Sequence, residues 1–259
     1  MHPGSDGSVF DIMYTCRAMR RFTPQDVPEG LVVELLDAAI RAPSGGDAQN
    51  WRFVVVRDPG VKRELGAEVR RGTRWKITVD DLRIKARHRA GEIDEEADAR
   101  FRRGLAAFNE LGERFERIPV LICVCVEPDV STKRAAASWP SIRSALREYG
   151  ALGTLRFVAA GSGLSERALW ATGYPAAQNI LLAARAKGLG AVLTAPHLLG
   201  PPGRFERILS LPRGVGLAAI IPIGHPVGRF GPVRRRPVED FIYRDRYGTS
   251  DPAPAPPGS

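Results

Sequence analysis

Apolar positions along the chain follow two rhythms. A three-to-four-residue spacing predicts helices, and short unbroken runs predict strands. Val9, Ile12, Met13 and Cys16 give a first helix one apolar face; Ser8 can cap it and Asp11 suits its first turn. After a turn over Thr23–Gly30, Pro28 fits the opening position of a second helix. There Leu31, Leu35, Ala38 and Ala39 recur up to Arg41. Trp51–Arg57 predicts a strand, buried on both faces because Phe53–Val56 is apolar throughout. Asp58-Pro59-Gly60 then turns into a helix over Val61–Arg71.

The pattern fades over Gly72–Arg117, where blocks such as Arg83–Arg89 and Glu92–Asp98 predict exposed helices that pair their charges. Val120–Val126 predicts a deeply buried strand, with Cys123 and Cys125 as small, unreactive fillers. Glu127–Trp170 reads as irregular, with a helix over Ile142–Ala151 and a mobile loop at Gly161-Ser162-Gly163, the composition of a lid. Tyr174–Gly188 predicts a buried helix stopped by Gly188. A strand over Leu189–Pro196, a helix over Arg204–Leu209 and a strand over Leu217–Ile223 follow. Val233–Tyr243 is the last folded piece, and Asp251–Ser259 lacks any apolar anchor and reads as disordered.

Composition narrows the class. Of 259 residues 44% are hydrophobic and 26% charged, as in ordinary soluble domains. No apolar run has the length of a bilayer span, and Met1–Ser8 has no export signature. The three cysteines, Cys16, Cys123 and Cys125, form no disulfide framework, so a reducing cytoplasm is expected. The four histidines show no metal-ligand spacing. A net charge of +9 calls for an anionic partner, yet no helix-turn-helix, zinc finger or basic zipper is legible, which argues against nucleic acid. An anionic cofactor or substrate is the competing explanation; a GC-rich genome, favouring Arg, Ala, Gly and Pro, is the plain one.

Three distant stretches suit such an anion. Arg17 and Arg20 carry planar forks that bind phosphate, although helix-end arginines also simply suit a dipole. Pro43-Ser44-Gly45-Gly46 stops a helix and lets backbone N–H groups approach a ligand, with the Gln49 amide close behind. Arg234 and Arg235 add charge near the end. No G-x-G-x-x-G follows a strand and no G-x-x-x-x-G-K-[ST] occurs, so neither a Rossmann site nor a P-loop is supported.

Four motifs in order resemble those of the FMN-dependent nitroreductase-like oxidoreductases. Arg17-Ala18-Met19-Arg20-Arg21-Phe22 is similar to R-S-x-R-x-F, with Ala18 for Ser. Ala42–Trp51 is similar to A-P-S-G-G-N-x-Q-P-W, with Asp47 for Asn and Asn50 for Pro. Pro175–Gly190 resembles P-A-x-Q-N-x-L-L-A-A-x-x-x-G-L-G, and Arg235-Arg236-Pro237-Val238-Glu239 the basic motif near the family's C-terminus.

The resemblance implies an α+β fold, a mostly antiparallel sheet flanked by helices, in an intertwined homodimer with FMN at each of two subunit interfaces. It implies one FMN-binding domain over 9–248, a flexible 1–8, a disordered 249–259, and variable insert or lid segments at 72–117 and 131–170 where substrate choice lies. Arg17 and Arg235, with Arg234 beside them, would hold the FMN phosphate, and Ala18 follows Arg17 in that loop. Arg20 would sit near N1 and the C2 carbonyl. Pro43, Ser44, Gly46 and Gln49 would line the ribityl chain and ring edge, with Pro175 nearby, while Thr194 and Ala195 approach N5 by backbone. Asp47, negative beside an anion, is expected to pair with an arginine.

The implied activity is ping-pong hydride transfer from NAD(P)H through flavin N5 to an electron-poor acceptor such as a nitroaromatic or quinone. No side-chain nucleophile or base and no metal is required. The alternatives are other flavin chemistry on the same fold (dehalogenation, ring oxidation, flavin fragmentation) or a non-catalytic flavin- or nucleic-acid-binding protein.

Overall fold

The computed structural model describes residues 8–128 and 137–248, with the side chains of 97, 157 and 159–169 left aside. The predicted terminal segments 1–7 and 249–259, and part of the 131–170 segment, lie outside the described residues. A four-stranded antiparallel sheet lies between two helical layers, its strands ordered β1-β2-β4-β3. The strands are β1 (Trp51–Val56), β2 (Val120–Val126), β3 (Gly190–Ala191) and β4 (Gly216–Gly224).

Side chains of β2 alternate between two cores, as a pleated strand requires. Val120, Ile122 and Val124 pack with α2 (Glu29–Ala39) and the C-terminal part of α5 (Trp139–Ala186). Leu121, Cys123 and Cys125 face α3 (Pro59–Arg89), α4 (Glu95–Glu113) and α6 (Arg204–Ile208). Every residue of β2 is buried, so both layers are anchored on it. Each fully buried Leu, Ile or Val there contributes about 1.5–3 kcal/mol.

β1 departs from expectation. It is an edge strand, and only its ends, Trp51 and Val56, are buried. The Trp51 indole donates to the Thr172 carbonyl at 3.3 Å, tying β1 to α5. The predicted Leu189–Pro196 strand shortens to β3 plus a bridge between Thr194 and Ile220.

The Ser8 cap forms as expected, as a capping box with Asp11 on α1 (Val9–Thr15). The helix begun at Val61 does not stop at Arg71 but runs to Arg89. Lys85 pairs with Asp81 within α3, and Arg102 of α4 reaches across to the same Asp81. The larger correction concerns Glu127–Trp170. In place of an irregular region with a loop at Gly161-Ser162-Gly163, α5 is helical from Trp139 to Ala186, broken only at Gly150. Pro175 sits inside this helix rather than at its start, and removes one intrahelical donor there. α5 passes very close to the sheet at Gly173, where a Cβ would stand 2.6 Å from that of Ala218.

Candidate functional site

One group of the predicted residues gathers at the β3 edge. Met19 donates its backbone N–H to the Ala191 carbonyl at 3.0 Å, so the segment holding Arg17, Ala18 and Arg20 runs beside β3. Phe22 pairs with Pro226, and Val227 N–H donates to the Arg21 carbonyl at 2.9 Å. The C-terminal segment then returns to α1, where Val233 N–H donates to the Tyr14 carbonyl at 2.8 Å. Arg234 and Arg235 follow directly. The Arg17 guanidinium lies 3.9 Å from the Cβ position of Gly231, so Arg17 and the C-terminal basic pair share one neighbourhood.

Ion pairs hold some of the chain's arginines but not these four. Arg21, Arg52 and Arg57 are each held by carboxylates, whereas no ion pair among the described residues engages Arg17, Arg20, Arg234 or Arg235. Arg20 is half-buried, and that burial lowers its pKa. A cation withdrawn from water without a counter-charge is costly and is relieved by an anion.

Thr194 commits both its N–H, at 3.0 Å, and its hydroxyl, at 2.7 Å, to the Ile220 carbonyl. The next residue, Ala195, is only partly buried, and its N–H makes no hydrogen bond among the described residues. Thr194 thus keeps no donor for a ligand, whereas Ala195 does.

The second group stands elsewhere. Pro43, Ser44, Gly46 and Gln49 form a turn packed on α5 just before β1. Three left-handed residues shape it: Gly46 at φ +60°, Asp47 at +52° and, after the right-handed Ala48, Gln49 at +45°. The Ser44 hydroxyl accepts from Gln49 N–H at 3.2 Å, and Asp47 accepts from the Gln49 side chain at 2.9 Å. The expected Asp47–arginine pair is thus replaced by a contact inside the turn. Asn50, standing where the motif has Pro, ties β1 to the end of β2 by donating to the Glu127 carbonyl at 2.7 Å. Pro175 lies one turn beyond Thr172 on α5, on this same side.

The two groups occupy opposite corners of the sheet. From β1, the Met19 segment is four strand positions away, past β2, β4 and β3. Along the strands, Met19 stands level with Ala191, Ile223 and Val120, one step beyond the Leu121–Val56 pair, whereas Gln49 precedes Trp51 at the other end. With strands about 4.8 Å apart and a rise of about 3.3 Å per residue, the separation is on the order of 25–30 Å. One mononucleotide does not reach both corners of one chain.

Sequence reasoning missed two features here. His197 is buried, and neither ring nitrogen makes a hydrogen bond. Its burial lowers its pKa, opposed by the Glu206 carboxylate. A cleft of about 430 Å³ lies between α3 and the loop leading into α6. Its residue Trp75 falls within the charged region where periodicity gave no guide.

A family model described as the Nitroreductase family matches residues 15–225. The chain belongs to this family. An NADH dehydrogenase of Thermus thermophilus is 30% identical over 228 residues, covering 87% of this chain and 90% of that protein. Among solved structures, oxidized iodotyrosine deiodinase bound to FMN and 3-iodo-L-tyrosine has a TM-score of 0.59 at 20% identity, covering 92% of this chain and 99% of that one. The NADPH:FMN oxidoreductase of Vibrio harveyi complexed with NAD+ has a TM-score of 0.55 at 17% identity, covering 94% and 79%. At such identities the two structures establish the nitroreductase-like fold: helices around an antiparallel sheet.

Proposed function

We propose that this protein is an FMN-dependent oxidoreductase that takes reducing equivalents from NADH or NADPH and passes them to a small electron-poor acceptor. The observation that carries the reading is the half-buried Arg20, without an ion pair among the described residues, in the same β3-edge segment as Arg17, with the free N–H of Ala195 close in sequence to that edge. The relative named NADH dehydrogenase supports a nicotinamide reductant, and the FMN in the structurally similar deiodinase supports the cofactor.

When bound, FMN supplies the hydride chemistry. Arg17, Arg234 and Arg235 hold its phosphate by paired N–H donors, and Ala18 keeps the loop small beside it. Arg20 places a fixed positive charge at the electron-rich edge of the ring system, and Ala195 offers a backbone donor. Pro43, Ser44, Gly46, Gln49 and Pro175 would line the other side of the bound FMN.

Because the two groups stand at opposite corners, one chain cannot complete the site, and a homodimer with two interfacial sites is the arrangement that does. Two uncovered apolar faces support it. Phe10 and Tyr14 on α1 are 61% and 66% exposed, and Leu152 and Leu155 on α5 are 62% and 65% exposed. Absorbance of the purified protein tests the reading: a flavin band that bleaches on adding NADH or NADPH is expected. Folded protein that stays colourless with micromolar FMN would overturn it.

A further inference from the structure

The cleft between α3 and the Pro196–Phe205 loop has the volume of a small-molecule site. Gly72 sets its depth: a Cβ there would stand 2.8 Å from the Leu199 Cβ and 3.0 Å from the Leu199 carbonyl oxygen, so helix and loop are in backbone contact. Trp75 forms one wall, 59% exposed and with no aromatic or cationic partner among the described residues. Leu198, Leu199, Pro201 and the buried Phe205 add to the apolar lining.

The charged lining is unbalanced. Glu68 is a single carboxylate, and it accepts from Arg71 at 2.5 Å and from Arg204 at 3.1 and 3.2 Å. Two guanidiniums on one carboxylate leave one positive charge in excess, and Arg71 keeps over half its side chain in solvent, free to turn a donor towards a ligand. Pro196, which lines the cleft, directly follows Ala195.

We propose that this cleft receives the electron acceptor, and that the acceptor is a planar aromatic compound carrying a negative charge. The ring lies against Trp75, and its anionic group meets Arg71 at the Glu68 site. The acceptor role rests on the flavin reading above, whereas binding in the cleft does not.

The test uses the full chain and two probes of the same shape, 4-nitrobenzoate and the neutral 4-nitrobenzamide, titrated against tryptophan fluorescence with and without FMN. Wild type is expected to bind the acid about tenfold or more tightly than the amide, with saturable quenching. Arg71→Gln leaves Glu68 paired with Arg204; it is expected to bring the two probes within about twofold by weakening only the acid. Trp75→Leu, a change at an exposed site, is expected to weaken both probes and remove the saturable quenching. Equal binding of the two probes to wild type, or equal effects of Arg71→Gln on both, overturns the cleft.

Steady-state turnover of the same probes, with NADH or NADPH, tests the role. The same preference in KM, lost in Arg71→Gln, supports the acceptor site. A flavin that bleaches but turns over both probes alike overturns it while leaving the flavin reading intact. A colourless protein with the binding preference retained overturns the flavin reading and keeps the cleft.

Discussion

The Met19 N–H donates to the Ala191 carbonyl at 3.0 Å, and this bond determines where the charge of the site stands. It lays the arginine segment along the free edge of β3, as far as the sheet permits from the turn before β1. The phosphate-binding and ring-enclosing functions are thereby divided between two corners, and a second chain is needed to unite them.

Subunit complementation follows from that division. Arg17→Ala in one chain and a Gly46→Val turn variant in another each leave a homodimer without an intact site. When the two are co-expressed, each mixed dimer regains one complete site. With random pairing, roughly one site in four recovers. Flavin content and turnover near this level are expected; no recovery in isolated mixed dimers would show that each site is built within one chain.

Arg20 and Arg17 should fail differently. A charge-assisted hydrogen bond contributes about 1.5–3 kcal/mol, so Arg17→Ala should weaken FMN binding roughly 10- to 100-fold. Arg20→Ala should bind FMN nearly as well but slow its reduction by about 100-fold, because its charge acts where negative charge develops. Stopped-flow reduction of flavin-loaded protein measures this, and unchanged kinetics would remove Arg20 from that role.

Two helical glycines give a matched stability test. At Gly173 a Cβ would overlap that of Ala218 at 2.6 Å and meet Val126 at 3.3 Å. Gly173→Ala should therefore destabilise by about 1–3 kcal/mol. Nothing lies within 4 Å of a Cβ at Gly104 on α4, so Gly104→Ala should stabilise by up to about 1 kcal/mol through helix propensity. Urea denaturation midpoints of the two variants should move in opposite directions.

His197 predicts an acid-sensitive fold. Its folded pKa lies below the ordinary value of 6.5, with burial the main cause. The unfolded chain therefore takes up the proton first as pH falls. The stability tied to this residue is complete above about pH 6.5 and is lost as pH drops through and below that value, by at most about 1.4 kcal/mol per pH unit. Urea unfolding between pH 8 and 5 should show a shallower acid limb in His197→Gln than in wild type. Parallel curves would mean that His197 does not contribute.

Much of the chain was legible where local rules suffice. The Ser8–Asp11 cap and the Val120–Val126 strand formed as read, because a capping oxygen and an unbroken apolar run act over a few residues. Reading failed where an alternative needed distant contacts to decide. Gly161-Ser162-Gly163 has the composition of a loop, yet the chain there is helical and continuous with the segment anchored at Gly173 and Ala176. Trp75 lay among charges with no period to mark it, and the cleft it borders exists only because Gly72 meets Leu199.

The order of residues by itself determined which side chains could serve an anionic, planar ligand: arginines, a glycine turn, and a strand end of small residues. It did so because hydrogen-bonding type and conformational freedom belong to each residue wherever it sits. Only the tertiary structure decided that Arg20 and Gln49 stand at opposite corners of the sheet. Strand order and register follow from which apolar faces bury together, and that is a property of the whole packed chain.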